Sequence, residues 1–147
     1  SGMSESSGIF TFPSTGIYLV TFTPVMNANS GSDYADFKIQ TTTNNSSYNT
    51  MAQGFEGATT GVAYGGTVLQ TTVDVTDTSN VKVRFMATQS DTNNKIRGQS
   101  SYNRTTFTFM RLGDTWNLAI VILKKKSAFV ENEKYSIPCI FFYSNNI

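Results

Sequence analysis

The chain has 147 residues, a net charge of +1, 14% charged residues, no histidine and one cysteine. That length suits one domain with a core of its own, and the near-neutral balance gives no electrostatic reason to seek nucleic acid or an anionic membrane. Without histidine the usual general base at neutral pH, the commonest zinc ligand and the Ser-His and Cys-His nucleophile pairs are all missing, and a lone Cys139 leaves no internal disulfide.

The first residues are polar, with no basic segment leading into an apolar one, and the longest apolar run, residues 118–123, is far too short to span a bilayer. A soluble protein without membrane insertion is expected. The stretch "SGIFTFPSTGIYLVTF", residues 7–22, then places a Pro-Ser-Thr-Gly turn between two strand-like runs. Pro13 has a fixed φ and no N–H to give a ladder, and Gly16 is free to take a positive φ, so the stretch reads as a hairpin with Phe10 and Phe12 opposite Ile9 and Thr11.

Further along, "GIYLVTFTPVM" puts Tyr18, Val20 and Phe22 on one face and Ile17, Leu19 and Thr21 on the other, the period of two of a strand. Similar runs, rich in Val, Thr, Phe and Tyr, follow at residues 35–43, 67–76, 81–88 and 105–112. The Asn-, Asp-, Ser- and Gly-rich clusters between them are turn formers. Short strands joined by polar loops, with no helical period, predict an all-β sandwich or barrel. After Gly113 the composition shifts to Ile, Phe, Lys and Asn. Residues 1–113 therefore read as the body and residues 114–147 as a C-terminal extension whose apolar runs, 118–123 and 137–143, are predicted strands. Cys139, within "IPCIFF", reads as a small core residue.

The order "GIFTFPSTGIYLVTF", "GTVLQTTVDVTDTSNVKVRF", "RTTFTFMRLG" resembles the C1q/TNF-like jelly roll, with its F-T-x-P-x-x-G-x-Y segment, its strand, polar turn and V-x-V strand, and its closing aromatic strand. The Ser/Thr/Asn-rich flavour is most similar to versions found in fibre and appendage proteins of tailed bacteriophages, especially marine ones. The resemblance covers residues 7–113 and implies a two-sheet antiparallel jelly-roll sandwich. The family begins with a strand pair that this chain almost lacks, so the C-terminal strands are expected to take its place, giving a permuted fold or one completed from a neighbouring copy; a tail outside the domain is the alternative.

The resemblance further implies a homotrimer, with Tyr18, Val20, Phe22, Phe107 and Phe109 matching the axial strands; alternating aromatics fit a sandwich core equally well. Function then falls to the loops, where Asn44, Asn45, Tyr48, Asn93, Asn94, Arg97, Tyr102 and Asn103 offer groups that hydrogen-bond or stack on sugars, although Asn-rich loops also form turns for their own sake. The family is non-catalytic, and Glu5, Glu56, Glu131 and Glu133 are not placed as a glycosidase pair would be. Asp33 with Asp36, and Asp74 with Asp77, lack the spacing of a calcium loop, so neither a metal nor any other cofactor is expected. Lys124, Lys125 and Lys126 are too few charges for a nucleic-acid footprint and read as a solvated turn. The expected role is a non-enzymatic structural and receptor-binding module of a virion appendage, engaging a host-surface glycan or protein. A capsid decoration module without a ligand and a monomeric carbohydrate-binding module are the alternatives.

Overall fold

A computed structural model describes residues 2–28, 33–58 and 63–115. The compact unit they belong to is Ser1–Thr115. The expectations for the strands at 118–123 and 137–143, for Cys139 and for the three lysines fall outside the described residues.

The described residues form an all-β, antiparallel fold of eleven strands. These are β1 (Ser4–Ser6), β2 (Ile9–Thr11), β3 (Gly16–Thr23), β4 (Val25–Ala28), β5 (Asp33–Thr42), β6 (Asn49–Ala58), β7 (Ala63–Gly66), β8 (Leu69–Val75), β9 (Lys82–Gln89), β10 (Lys95–Ile96) and β11 (Thr106–Gly113). One sheet has the order β1-β2-β9-β5-β6, a second β11-β3-β8 and a third β10-β4-β7. The second and third follow one another along the chain because Pro24 interrupts the ladder between β3 and β4, having no N–H to give it. The break is patched locally: the Val25 N–H donates to Thr105 Oγ1 at 3.0 Å, and the Pro24 carbonyl accepts from the Thr67 N–H at 3.4 Å.

The core lies between the five-stranded sheet and these ladders. Tyr18, Val20 and Phe22 of β3 and Met26 and Ala28 of β4 meet Ala35, Phe37 and Ile39 of β5, Leu69, Val73 and Val75 of β8, and Val81 and Val83, all buried. Strand β3 alternates strictly between buried and half-buried positions, which is the periodicity its sequence carries. The outward face of the five-stranded sheet mixes polar pairs with the exposed Tyr34, Phe55 and Met86, which stand opposite Gly57, Asp36 and Lys38. There Lys38 pairs with Asp36 at 2.8 Å, Gln53 Nε2 donates to Asp36 Oδ1 at 2.9 Å, and Arg84 Nε donates to Gln40 Oε1 at 2.8 Å.

Three expectations need correction. The Pro-Ser-Thr-Gly segment is not a hairpin, since β2 pairs with β1 and β9 while β3 pairs with β8 and β11. It is a corner that carries the chain from one sheet to another. Phe12, buried to 2% exposure, turns inward there with its ring 4.8 Å from that of Tyr18, and the Tyr18 hydroxyl lies 2.9 Å from Ser14 Oγ and donates to the Ser14 carbonyl at 3.0 Å. Secondly, the N-terminus does carry structure. β1 and β2 form a true hairpin through the two residues Ser7 and Gly8, both at positive φ (53° and 78°) as tight hairpin turns require, with Glu5 Oε1 accepting from the Gly8 N–H. Thirdly, β6 and β7 had no counterpart among the predicted strands. β6 is an edge strand whose Gly54, Gly57, Ala52 and Ala58 carry little of the β-branched signal by which strands are read.

Candidate functional site

The alternation along β3 settles which side chains its two faces present. Tyr18, Val20 and Phe22 are at most 3% exposed within the single chain, so three of the five residues matched to a trimer axis are sandwich core. The other two, Phe107 and Phe109 on β11, stand opposite Phe22 and Val20 and share that inward face. They belong to an aromatic cluster near the end of the sandwich, where Phe107 lies 4.3 Å from Phe85 and Phe109 lies 5.4 Å from Phe10, ring centre to ring centre. Phe107 keeps 43% of its surface. Among the described residues, β11 is hydrogen-bonded on one side only.

The opposite face of β11-β3-β8 is where this sheet can meet another molecule. Met110 stands across from Leu19 there, and Arg111 and Gly113 flank a register shift beyond which β11 meets Ile17. Met110 and Leu112 are 56% and 55% exposed. Further along, the same face turns to hydroxyls and amides, with Thr21, Thr108, Thr23 and Thr106 paired across the strands and Gln70 Nε2 donating to Thr21 Oγ1 at 3.1 Å.

The loop candidates divide sharply. Asn44 is a turn former: its Oδ1 accepts from the backbone N–H groups of Ser46 (3.0 Å) and Ser47 (2.9 Å) and from the Ser46 and Thr42 hydroxyls. Asn45 takes the left-handed conformation, φ 55°, and donates its N–H to the Asn80 carbonyl. Tyr48 lies beneath Arg84, whose guanidinium carbon is 4.1 Å from the ring centre. Asn93 and Asn94 close a turn on Asp91, and Asn94 is buried. Arg97 is structural, since its guanidinium donates through Nε and Nη2 to Oδ1 of the buried Asn27 and its carbonyl accepts from Thr105 Oγ1 at 2.8 Å. Tyr102 and Asn103 remain exposed.

Tyr102 is not alone. Arg104 donates through Nη2 to the Tyr102 hydroxyl at 2.5 Å, and its guanidinium carbon lies 5.4 Å from the Tyr102 ring centre and 5.8 Å from that of Tyr64 on β7. Tyr64 is 62% and Tyr102 54% exposed. Tyr64, Asn27 and Lys95 form one cross-strand row over β7, β4 and β10, and residues directly opposite share a sheet face. Neither Tyr64 nor Arg104 was a sequence candidate: they lie forty positions apart and only the strand pairing brings them together.

One member of each acidic pair weighed for calcium is engaged locally. Asp36 is engaged by Lys38 and Gln53, as above. Asp77 caps a turn, accepting from the Ser79 N–H at 2.7 Å and the Asn80 amide at 2.6 Å, and these bonds, the Ser79 N–H first, hold its carboxyl below the usual aspartate range. Because its folded value is depressed, the stability it adds is present above the ordinary aspartate pKa and is lost as the pH falls through the lowered one. An NMR titration of the Asp77 carboxyl is expected to give a midpoint below that of an aspartate in the unfolded chain, and Asn80→Ala to move it upward. Among the described residues no group of three or more acidic, cysteine or histidine side chains is placed to hold a metal, and no helix is long and apolar enough to cross a membrane. No protein-family model and no curated protein matches the chain.

Proposed function

We propose that the chain is a non-enzymatic structural and receptor-binding module of a phage or virus appendage, a C1q/TNF-like jelly roll that trimerises and meets a host-surface glycan or protein through its loops. The observation that carries the assembly is the exposed apolar surface of β11, where Met110 and Leu112 are 56% and 55% exposed and Met110 stands across from the half-buried Leu19 of β3. Contiguous exposed apolar surface of this kind marks interaction sites, and a face that meets two copies of itself about an axis explains why methionine and leucine stand there in place of the threonines further along. The chain's path is a second support. β9 lies between β2 and β5, and β3 between β8 and β11, the non-sequential neighbours that Greek-key connections leave. The motif that carries the family resemblance forms the corner from which this path begins.

The native mass, by light scattering after gel filtration, tests the reading. A trimer is expected for the parent and a smaller species for Met110→Glu, with the melting temperature of the dissociated variant set by the intact core. A parent that is monomeric at high concentration removes the appendage trimer and leaves a carbohydrate-binding module that works alone.

A further inference from the structure

Resting on the glycan-binding reading above and narrowing it, we infer that the surface formed by Tyr64, Tyr102 and Arg104 is a binding site for an acidic sugar, a pyranose carrying a carboxylate or sulfate. Two exposed tyrosine rings flank one guanidinium, so a single small surface offers apolar faces on which the C–H face of a pyranose stacks and a planar, permanently charged donor for an anionic substituent. Basic side chains lie along it, while the Glu56 side chain packs over Gly65, the neighbour of Tyr64 on β7. Lys95 lies in the same cross-strand row as Tyr64, and Arg97 is anchored on Asn27 in the middle of that row. Among the described residues the ion pairs are those of Lys38 with Asp36 and Arg111 with Asp114, so Lys95, Arg97 and Arg104 are not neutralised by a paired carboxylate.

The support beneath the site is rigid. The Arg97 N–H donates to the Val25 carbonyl at 2.8 Å, and the Thr105 hydroxyl bridges the Arg97 carbonyl and the Val25 N–H, which ties both ends of the loop carrying Tyr102 to β4. Recognition groups held on a loop that is pinned at both ends lose little freedom on binding. Arg104 already lies against both rings, so the guanidinium and the stacking faces are arranged before a ligand arrives.

The test is calorimetric titration of the full chain, at low and at physiological salt, with three probes: oligogalacturonate, chondroitin sulfate oligomers and neutral cello-oligosaccharide. Oligogalacturonate is expected to bind and to weaken as salt rises. Affinity should fall about tenfold or more in Arg104→Gln and in Tyr102→Ala, a loss of ~1.4 kcal/mol or more. It should be unchanged in Tyr34→Ala, an exposed tyrosine on the five-stranded sheet. Binding of the chondroitin sulfate oligomers without binding of oligogalacturonate, and with the same dependence on Arg104 and Tyr102, keeps the site for an acidic sugar that carries sulfate beside its carboxylate. Equal affinity for the neutral probe, or acidic-sugar binding unaltered in the Arg104 and Tyr102 variants, overturns this site while leaving a glycan-binding module. Failure of all three probes overturns the site, and the native mass then decides separately whether the appendage reading survives.

Discussion

Phe22→Ala is expected to cost about 3–5 kcal/mol of folding stability, the range for removing a buried phenylalanine from a well-packed core. Phe22 is buried at 3% exposure, with the rings of Phe85 and Phe107 each 5.1 Å away and that of Phe37 at 5.9 Å. Truncation removes the apolar area of the ring together with its contacts to three others, and neither β3 nor β5 can close the gap without breaking its ladder. Against a total stability of about 5–15 kcal/mol for a domain, the variant keeps a fraction of its folded margin. Urea unfolding should show a lower midpoint at an unchanged slope. The same substitution decides between the two roles that Phe22 was assigned from sequence. A residue on a trimer axis would change the native mass and leave the unfolding of the single chain nearly untouched; a core residue does the reverse.

That contrast shows which parts of the molecule were legible in the sequence. The period of two in residues 17–22 identified β3 correctly because one of its faces is fully buried and the other is not. Alternation says that two faces differ, however, and not whether the apolar one meets the opposing sheet or another chain, so Tyr18, Val20 and Phe22 were matched to an axis when Leu19 and Met110 hold the outward side. β6 escaped notice because an edge strand needs little apolar signal to be held by one neighbour. Asn44 and Asn45 belonged to the turn from the start, and their residue type announced it. The Tyr64 and Arg104 surface had no local signal at all. It arises from the pairing of β4 with β7, whose partners lie 35 to 41 positions apart, and from a loop pinned to Pro24's neighbour by a hydrogen bond that joins residues 80 positions apart.

The corner at residues 13–16 carries the other large effect. Gly16→Ala is expected to destabilise the fold by about 1–3 kcal/mol from backbone strain alone, because Gly16 sits at φ 144°, a conformation essentially reserved for glycine. A Cβ at that position would also lie 2.6 Å from the Gly113 carbonyl oxygen and 2.6 Å from Arg111 Nε. The arginine can swing aside, but the carbonyl is backbone of β11, next to the register shift between Arg111 and Gly113. Moving Arg111 has a consequence of its own, since its Nε and Nη2 both donate to the Thr15 carbonyl at 3.2 Å and so fasten the corner to β11. Alanine at residue 16 thus strains the turn and at the same time releases the contact that holds it, and the loss is expected to exceed that of strain alone. Gly98→Ala is the matched control: a Cβ there meets nothing within 4 Å, and a change within about 0.5 kcal/mol is expected for an open surface position. Thermal unfolding of the two variants side by side measures the difference, and amide exchange localises it, with protection lost first at the end of β11 and at residues 16–18. Equal melting temperatures for the two would mean that the corner is not a constrained crossing between sheets, and the placement of Phe12 and Tyr18 against each other would lose its cause.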